Sequence, residues 1–303
     1  MAGDDLRLLA ALLLAAASAV AADRLGARRG LLPPGFAQPL RRLLAIVLLA
    51  GVLLLAVFLP ALTYPPPPID PAALSTADLF ISHLLLLAAV AGWTLLGFAG
   101  TSRPAAAAPW EPGVAELDAM PAGATPPEAG GLPPPVDWAG QLGLRSAAPL
   151  RDLGLGLAVG AGAWLAVVAV LLVMAGLLLA LGWDEALAGG APPALVVWLA
   201  GLPAAWRLAV SLSAGLFEEL FFRGFLQPRL GIALSSLLFV LGHLSYAQPL
   251  MLVALAVLSV IYALLTRWSA SIWPAVVAHA LFDAVQLLVI IPFALDAVEA
   301  AGG

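Results

Sequence analysis

The stretch SAGLFEELFFRGF, residues 213–225, sets two adjacent carboxylates, Glu218 and Glu219, and one guanidinium, Arg223, in an otherwise apolar run. Two segments of the same kind follow: FVLGH, ending on His243, and HALFD, carrying His279 and Asp283. Carboxylates and imidazoles can take a proton from water and offer donors to a developing oxyanion, so the set suits hydrolysis. Spacing separates the tasks. On an α-helix Glu219 and Arg223 stand at i, i+4 with the acid first, the better order for an ion pair, and Glu218 points about 100° away. The spacing therefore predicts that Arg223 holds Glu219 while Glu218 faces another helix. His279 and Asp283 share one face in the same i, i+4 relation.

The elements that must position these groups lie in a membrane. The chain is 63% hydrophobic and only 10% charged, with a mean hydropathy of +1.04, against roughly 25% charged residues in a soluble domain. An all-α, polytopic transmembrane bundle of about eight spans is predicted, at residues 6–22, 43–63, 79–98, 155–182, 204–227, 230–247, 249–266 and 272–295. Three regions follow from this pattern. Residues 1–98 form a three-span part and 151–303 a five-span part, joined by a Pro/Ala/Gly-rich stretch, 99–150, read as a cytoplasmic, largely disordered linker. All 13 basic residues are arginine. Arg24, Arg28, Arg29, Arg41 and Arg42 lie between the first and second spans, which puts that loop inside, and alternation thereafter puts both termini outside. Ala19-Val20-Ala21 resembles a signal-peptidase site, but Asp4 and Asp5 precede it and cleavage would leave five arginines outside, which disfavours removal.

An ionisable group at membrane depth costs at least a few kcal/mol, so by default it serves a function. Glu218, Glu219, Arg223, His243, His279 and Asp283 cluster on the later spans, and helix rise places them within reach of one cytoplasm-facing cavity. His83 stands alone in LFISHLLLL and is read as interhelical glue. Arg207 is read as a snorkelling residue, and Ser211, Ser213 and Gly215 as small residues for close packing. The absence of cysteine excludes thiol chemistry, and a net charge of -5 without a basic patch gives no footprint for nucleic acid. HExxH, Gly-x-Ser-Gly and paired intramembrane aspartates are all missing.

EELFFR, FVLGH and HALFD together resemble the three motifs of the CPBP family of intramembrane proteases, also called the Abi or type II CAAX endopeptidase family, over roughly residues 195–295. The resemblance implies that Glu218 is the general base, that His243 helps to hold the attacking water, and that His279 and residue 283 bind the oxyanion, with Arg223 orienting Glu219. Asp283 stands where an amide is often found. An ionised carboxylate cannot donate, so it must be protonated, orient His279 or bind a metal. Family members are described both as metalloproteases and as glutamate-dependent enzymes, and Glu218, His243 and His279 are the possible zinc ligands. The implied setting is a bacterial inner membrane. Its partners are then membrane lipids and a membrane-anchored or transmembrane peptide substrate, with processing or peptide immunity as the role. The rival readings are a non-catalytic scaffold or immunity protein using the same cluster, and a proton or ion carrier. The nearly apolar outer half of the later spans disfavours the carrier.

Overall fold

In a computed structural model the chain is helical, with no strand among the described residues, which are 2–63, 70, 73–100, 137–183, 194–246 and 248–302. The helices are α1 (Ala2–Arg28), α2 (Pro39–Leu62), α3 (Asp78–Phe98), α4 (Pro149–Ala180), α5 (Ala194–Gly201), α6 (Ala204–Glu218), α7 (Ile232–Gly242), α8 (Pro249–Ser269) and α9 (Trp273–Val285). Proline opens α2, α4, α8 and α9 within the first turn, where its missing N–H leaves no bond unmade. Beyond α6 the chain stays helical through a wide π stretch, Glu219–Leu226, to Leu230. Beyond α9 a second π stretch, Gln286–Ile290, leads into Ile291–Gly302.

Among the described residues six helices are long and apolar enough to cross a membrane, which makes this an integral membrane protein. The other two expected spans differ. The fifth, α6 with its extension, carries Arg207, Glu218, Glu219, Arg223 and Arg229, too many charges for an apolar span. The sixth, α7, has 11 residues, about 16 Å of helix against a hydrocarbon thickness of about 30 Å. It is reached by a sharp reversal at Gly231, whose φ of +85° suits glycine.

The first three spans and the later ones share one core. Ala11, Leu49, Val57 and Trp93 belong to the same buried cluster as Phe221, Phe239 and Ile272. Ala15, Ala19 and Ala22 of α1 are buried there too, so the first helix is part of the bundle. A second cluster, with Ala163, Tyr262, Ala278 and Phe282, joins α4 and α8 to α9. Small residues let backbones approach: a Cβ on Gly215 of α6 would lie 2.9 Å from the Ala280 backbone nitrogen of α9.

Two sequence expectations need correction. Residues 101–136, including Trp110, lie outside the described residues, but 137–148 are docked on the bundle rather than loose. Leu142 is buried, the Ile272 N–H donates to Gly143 O at 3.0 Å, and the Trp273 indole N–H donates to Leu144 O at 2.8 Å. Arg207 does not simply reach for water. Its Nη1 donates to Leu287 O at 2.9 Å, a carbonyl in the π stretch after α9, where the regular helical ladder is interrupted.

Direction matters for the site. Arg41 donates to Ala99 O and Arg29 to Pro228 O, so the end of α1, the start of α2, the end of α3 and the end of the α6 extension meet at one arginine-rich end of the bundle. The tails of α2 and α7 and the heads of α3, α6 and α8 lie toward the other end.

Candidate active site

Glu219 opens the π stretch and is fully buried. Its Oε2 is 3.1 Å from Arg223 Nε, and its Oε1 accepts from His279 Nδ1 at 2.8 Å. The arginine is fixed from behind. Nη2 donates to both the carbonyl and the hydroxyl oxygen of Ser259 at 3.2 Å, and the guanidinium lies 4.5 Å from the Phe239 ring centroid. The other nitrogen of His279, Nε2, stands 3.4 Å from Asp283 Oδ2, and Tyr262 stacks on the ring with centroids 5.2 Å apart. Arg223, Glu219, His279 and Asp283 thus form a chain of alternating charge type from the π stretch after α6 to α9, with Ser259 and Tyr262 of α8 packed against it.

Glu218, one residue earlier, points elsewhere. Its Oε1 is 3.6 Å from His83 Nε2 on α3, and its Oε2 is 3.9 Å from His243 Nε2 at the end of α7. Hydrogen bonds on the far side of each ring fix which nitrogen carries the proton. His243 Nδ1 lies 2.7 Å from Phe239 O, a carbonyl that can only accept, so Nδ1 is protonated. His83 Nδ1 lies 2.9 Å from Ser213 Oγ, whose own proton goes to Val210 O at 3.0 Å, so that nitrogen is also the donor. As neutral imidazoles with Nδ1 the donor, both rings turn an Nε2 lone pair toward the Glu218 carboxylate. In that form a water molecule beside the three groups can give one O–H to Glu218 and share the other between the two imidazoles.

Glu218, His83 and His243 line a cavity of about 470 Å³ that is otherwise walled largely by apolar side chains, among them Leu55, Leu79, Leu86, Trp198 and Phe222. Leu74 and Asp78 at the head of α3, and Ser245 beyond α7, line it as well, so it reaches the end away from the arginines. This corrects the expectation of one cavity shared by all the polar residues. His279 and Asp283 are not among its lining residues. Counting residues along separate helices gives depth but not facing.

Both nitrogens of His279 face carboxylates of the inner network, so Glu218, His243 and His279 do not converge on a point, and among the described residues no group of three His, Asp or Glu is arranged to hold a metal ion. For Asp283, the position beside His279 Nε2 fits the orienting alternative. Four residues of the network escape a motif reading: His83, Ser213, Ser259 and Tyr262. The signal for His83 was present, since it is one of only three histidines in the chain and lies at membrane depth.

Residues 200–285 match the family model described as type II CAAX prenyl endopeptidase, Rce1-like. The resemblance to the CAAX protease family holds over that segment. The Rce1-like segment contains EELFFR, FVLGH and HALFD, and with them Glu218, Glu219, Arg223, His243, His279 and Asp283. His83 lies outside it. No curated protein and no solved structure matches the chain. The Rce1-like match and the six apolar helices support protease activity in a membrane.

Proposed function

We propose that the protein is an intramembrane endopeptidase in which Glu218 is the general base of a water-dependent, metal-free hydrolysis. The observation that carries this reading is the Glu218 carboxylate between two imidazole Nε2 atoms on the wall of a cavity. Water held there gives one proton to Glu218 as its oxygen bonds to the substrate carbonyl carbon. His83 and His243 accept the hydrogen bond of its other O–H and keep it aimed. The C–N bond then breaks, and the proton on Glu218 passes to the departing amine. His279 is assigned the oxyanion contact, for which its ring must turn about the Nδ1–Glu219 bond and carry Nε2–H from Asp283 into the cavity, with Arg223 holding Glu219 in place.

The apolar lining suits an extended, apolar segment of a membrane-associated peptide. A bacterial cell membrane, with the arginine-rich end inside and the termini outside, is the setting this reading adopts. The test is to incubate the purified protein in proteoliposomes with a library of membrane-anchored peptides and to look for new peptide termini by mass spectrometry. Discrete cleavage lost on Glu218→Gln supports the proposal, and cleavage that the substitution leaves unchanged refutes Glu218 as base.

A further inference from the structure

A second cavity, of about 490 Å³, approaches the ion pair from the opposite, arginine-rich end. Arg29, Arg223 and Arg267 line it together with Gln227 and Thr266, and none of the described lining residues is acidic. Among the described residues neither Arg29 nor Arg267 has a carboxylate partner; Arg29 gives Nη1 to Pro228 O at 2.6 Å. At the back of the cavity two buried donors are unused. Arg223, 1% exposed, has no hydrogen-bond partner for Nη1, and Thr266, 9% exposed, has none for Oγ1. Gln227 NH2 is committed to Ala263 O at 2.9 Å, and its Oε1 is left as an acceptor.

A cluster of guanidinium groups at a membrane-facing end would serve as a topological signal wherever it lay on the surface. Here the groups line one recess, and two of its lining residues, Arg223 and Thr266, carry buried donors without a partner, which is the arrangement of an anion site. Trp268 and Trp138, 69% and 45% exposed, flank Arg267 and Gly140 of this rim, and exposed indoles of that kind sit at headgroup level. We infer that this cavity binds a phosphate group, supplied by the headgroup of an anionic phospholipid in the leaflet at the arginine-rich end. Arg29 and Arg267 embrace the phosphate oxygens, Thr266 Oγ1 and Arg223 Nη1 give the inner hydrogen bonds, and Gln227 Oε1 accepts from a hydroxyl of the headgroup or from water. Because Arg223 also holds Glu219, the bound anion and the inner network share one guanidinium. The inference stands whether or not the protein is a protease.

The full chain in detergent, wild type beside Arg29→Gln/Arg267→Gln and Thr266→Val, is titrated with short-chain phosphatidylglycerol, short-chain phosphatidylcholine and inorganic phosphate by native mass spectrometry. We expect saturable binding of phosphatidylglycerol over phosphatidylcholine, weakened about twenty- to thirtyfold in the double variant, as two near-surface charges worth about fivefold each require. Thr266→Val, which changes no charge, weakens it less. Saturable binding of inorganic phosphate with the same loss in the double variant upholds the anion site and assigns its ligand to soluble phosphate. Equal affinity of wild type and double variant, or no anion binding by the wild type, overturns the inference.

Discussion

His83 Nε2 lies 3.6 Å from Glu218 Oε1, although one belongs to the third helix of the chain and the other to the Rce1-like segment. The site is therefore composite: a helix outside the family segment supplies one of the two imidazoles that face the proposed base. If His83 aims the attacking water, His83→Phe should lower kcat about ten- to a hundredfold with KM nearly unchanged, because the loss falls on the reacting geometry rather than on substrate binding. Ser213→Ala should give a smaller drop of the same kind, since it only releases the His83 tautomer. Steady-state kinetics on a membrane-anchored peptide separates these effects from misfolding, which would lower the active fraction without a graded series.

The inner pair makes a stability prediction. Glu219 and Arg223 are 0% and 1% exposed, so removing one partner leaves a buried charge. Glu219→Gln alone or Arg223→Met alone should destabilise by about 3–5 kcal/mol, and the double variant by less than the sum of the two. Thermal unfolding in detergent reads the difference, and strict additivity would contradict the pairing.

Close packing of α6 on α9 predicts a steric penalty. At Gly215 a Cβ would meet the backbone at Ala280 and Val276 at 2.9 Å, so Gly215→Val forces the helices apart and should cost about 1–3 kcal/mol. Gly162, with open space around it, should tolerate Gly162→Ala with little change.

Treatment with a chelator should leave cleavage intact, because His279 is committed to Glu219 and Asp283 rather than turned toward Glu218 and His243. Loss of activity that added zinc restores would contradict the metal-free proposal.

The parts legible in the sequence were those written locally. The Glu219–Arg223 pair follows from i, i+4 spacing and survives even though a π stretch replaces the α-helix there. The all-helical membrane fold follows from composition and from long apolar runs. What escaped was nonlocal. Nothing in LFISHLLLL says that His83 meets Glu218, because that contact depends on α3 packing against α6. The grouping of His243 with Glu218 rather than with His279 is nonlocal too, because α7 stops at Gly242 and His243 sits at a helix end rather than inside a full span. The docking of residues 137–148 is hidden by the Pro-, Ala- and Gly-rich composition of the surrounding stretch 99–150, which reads as linker, although one side chain there, Leu142, is buried in the core.

The most direct test of the central claim is the cleavage rate of one membrane-anchored peptide by wild type and by Glu218→Gln, both shown by thermal unfolding to be folded. The carboxamide keeps the size of the side chain and removes its basicity, so the account predicts a kcat lower by about 10²- to 10⁴-fold. A Glu218→Gln protein that cleaves at the wild-type rate would contradict it.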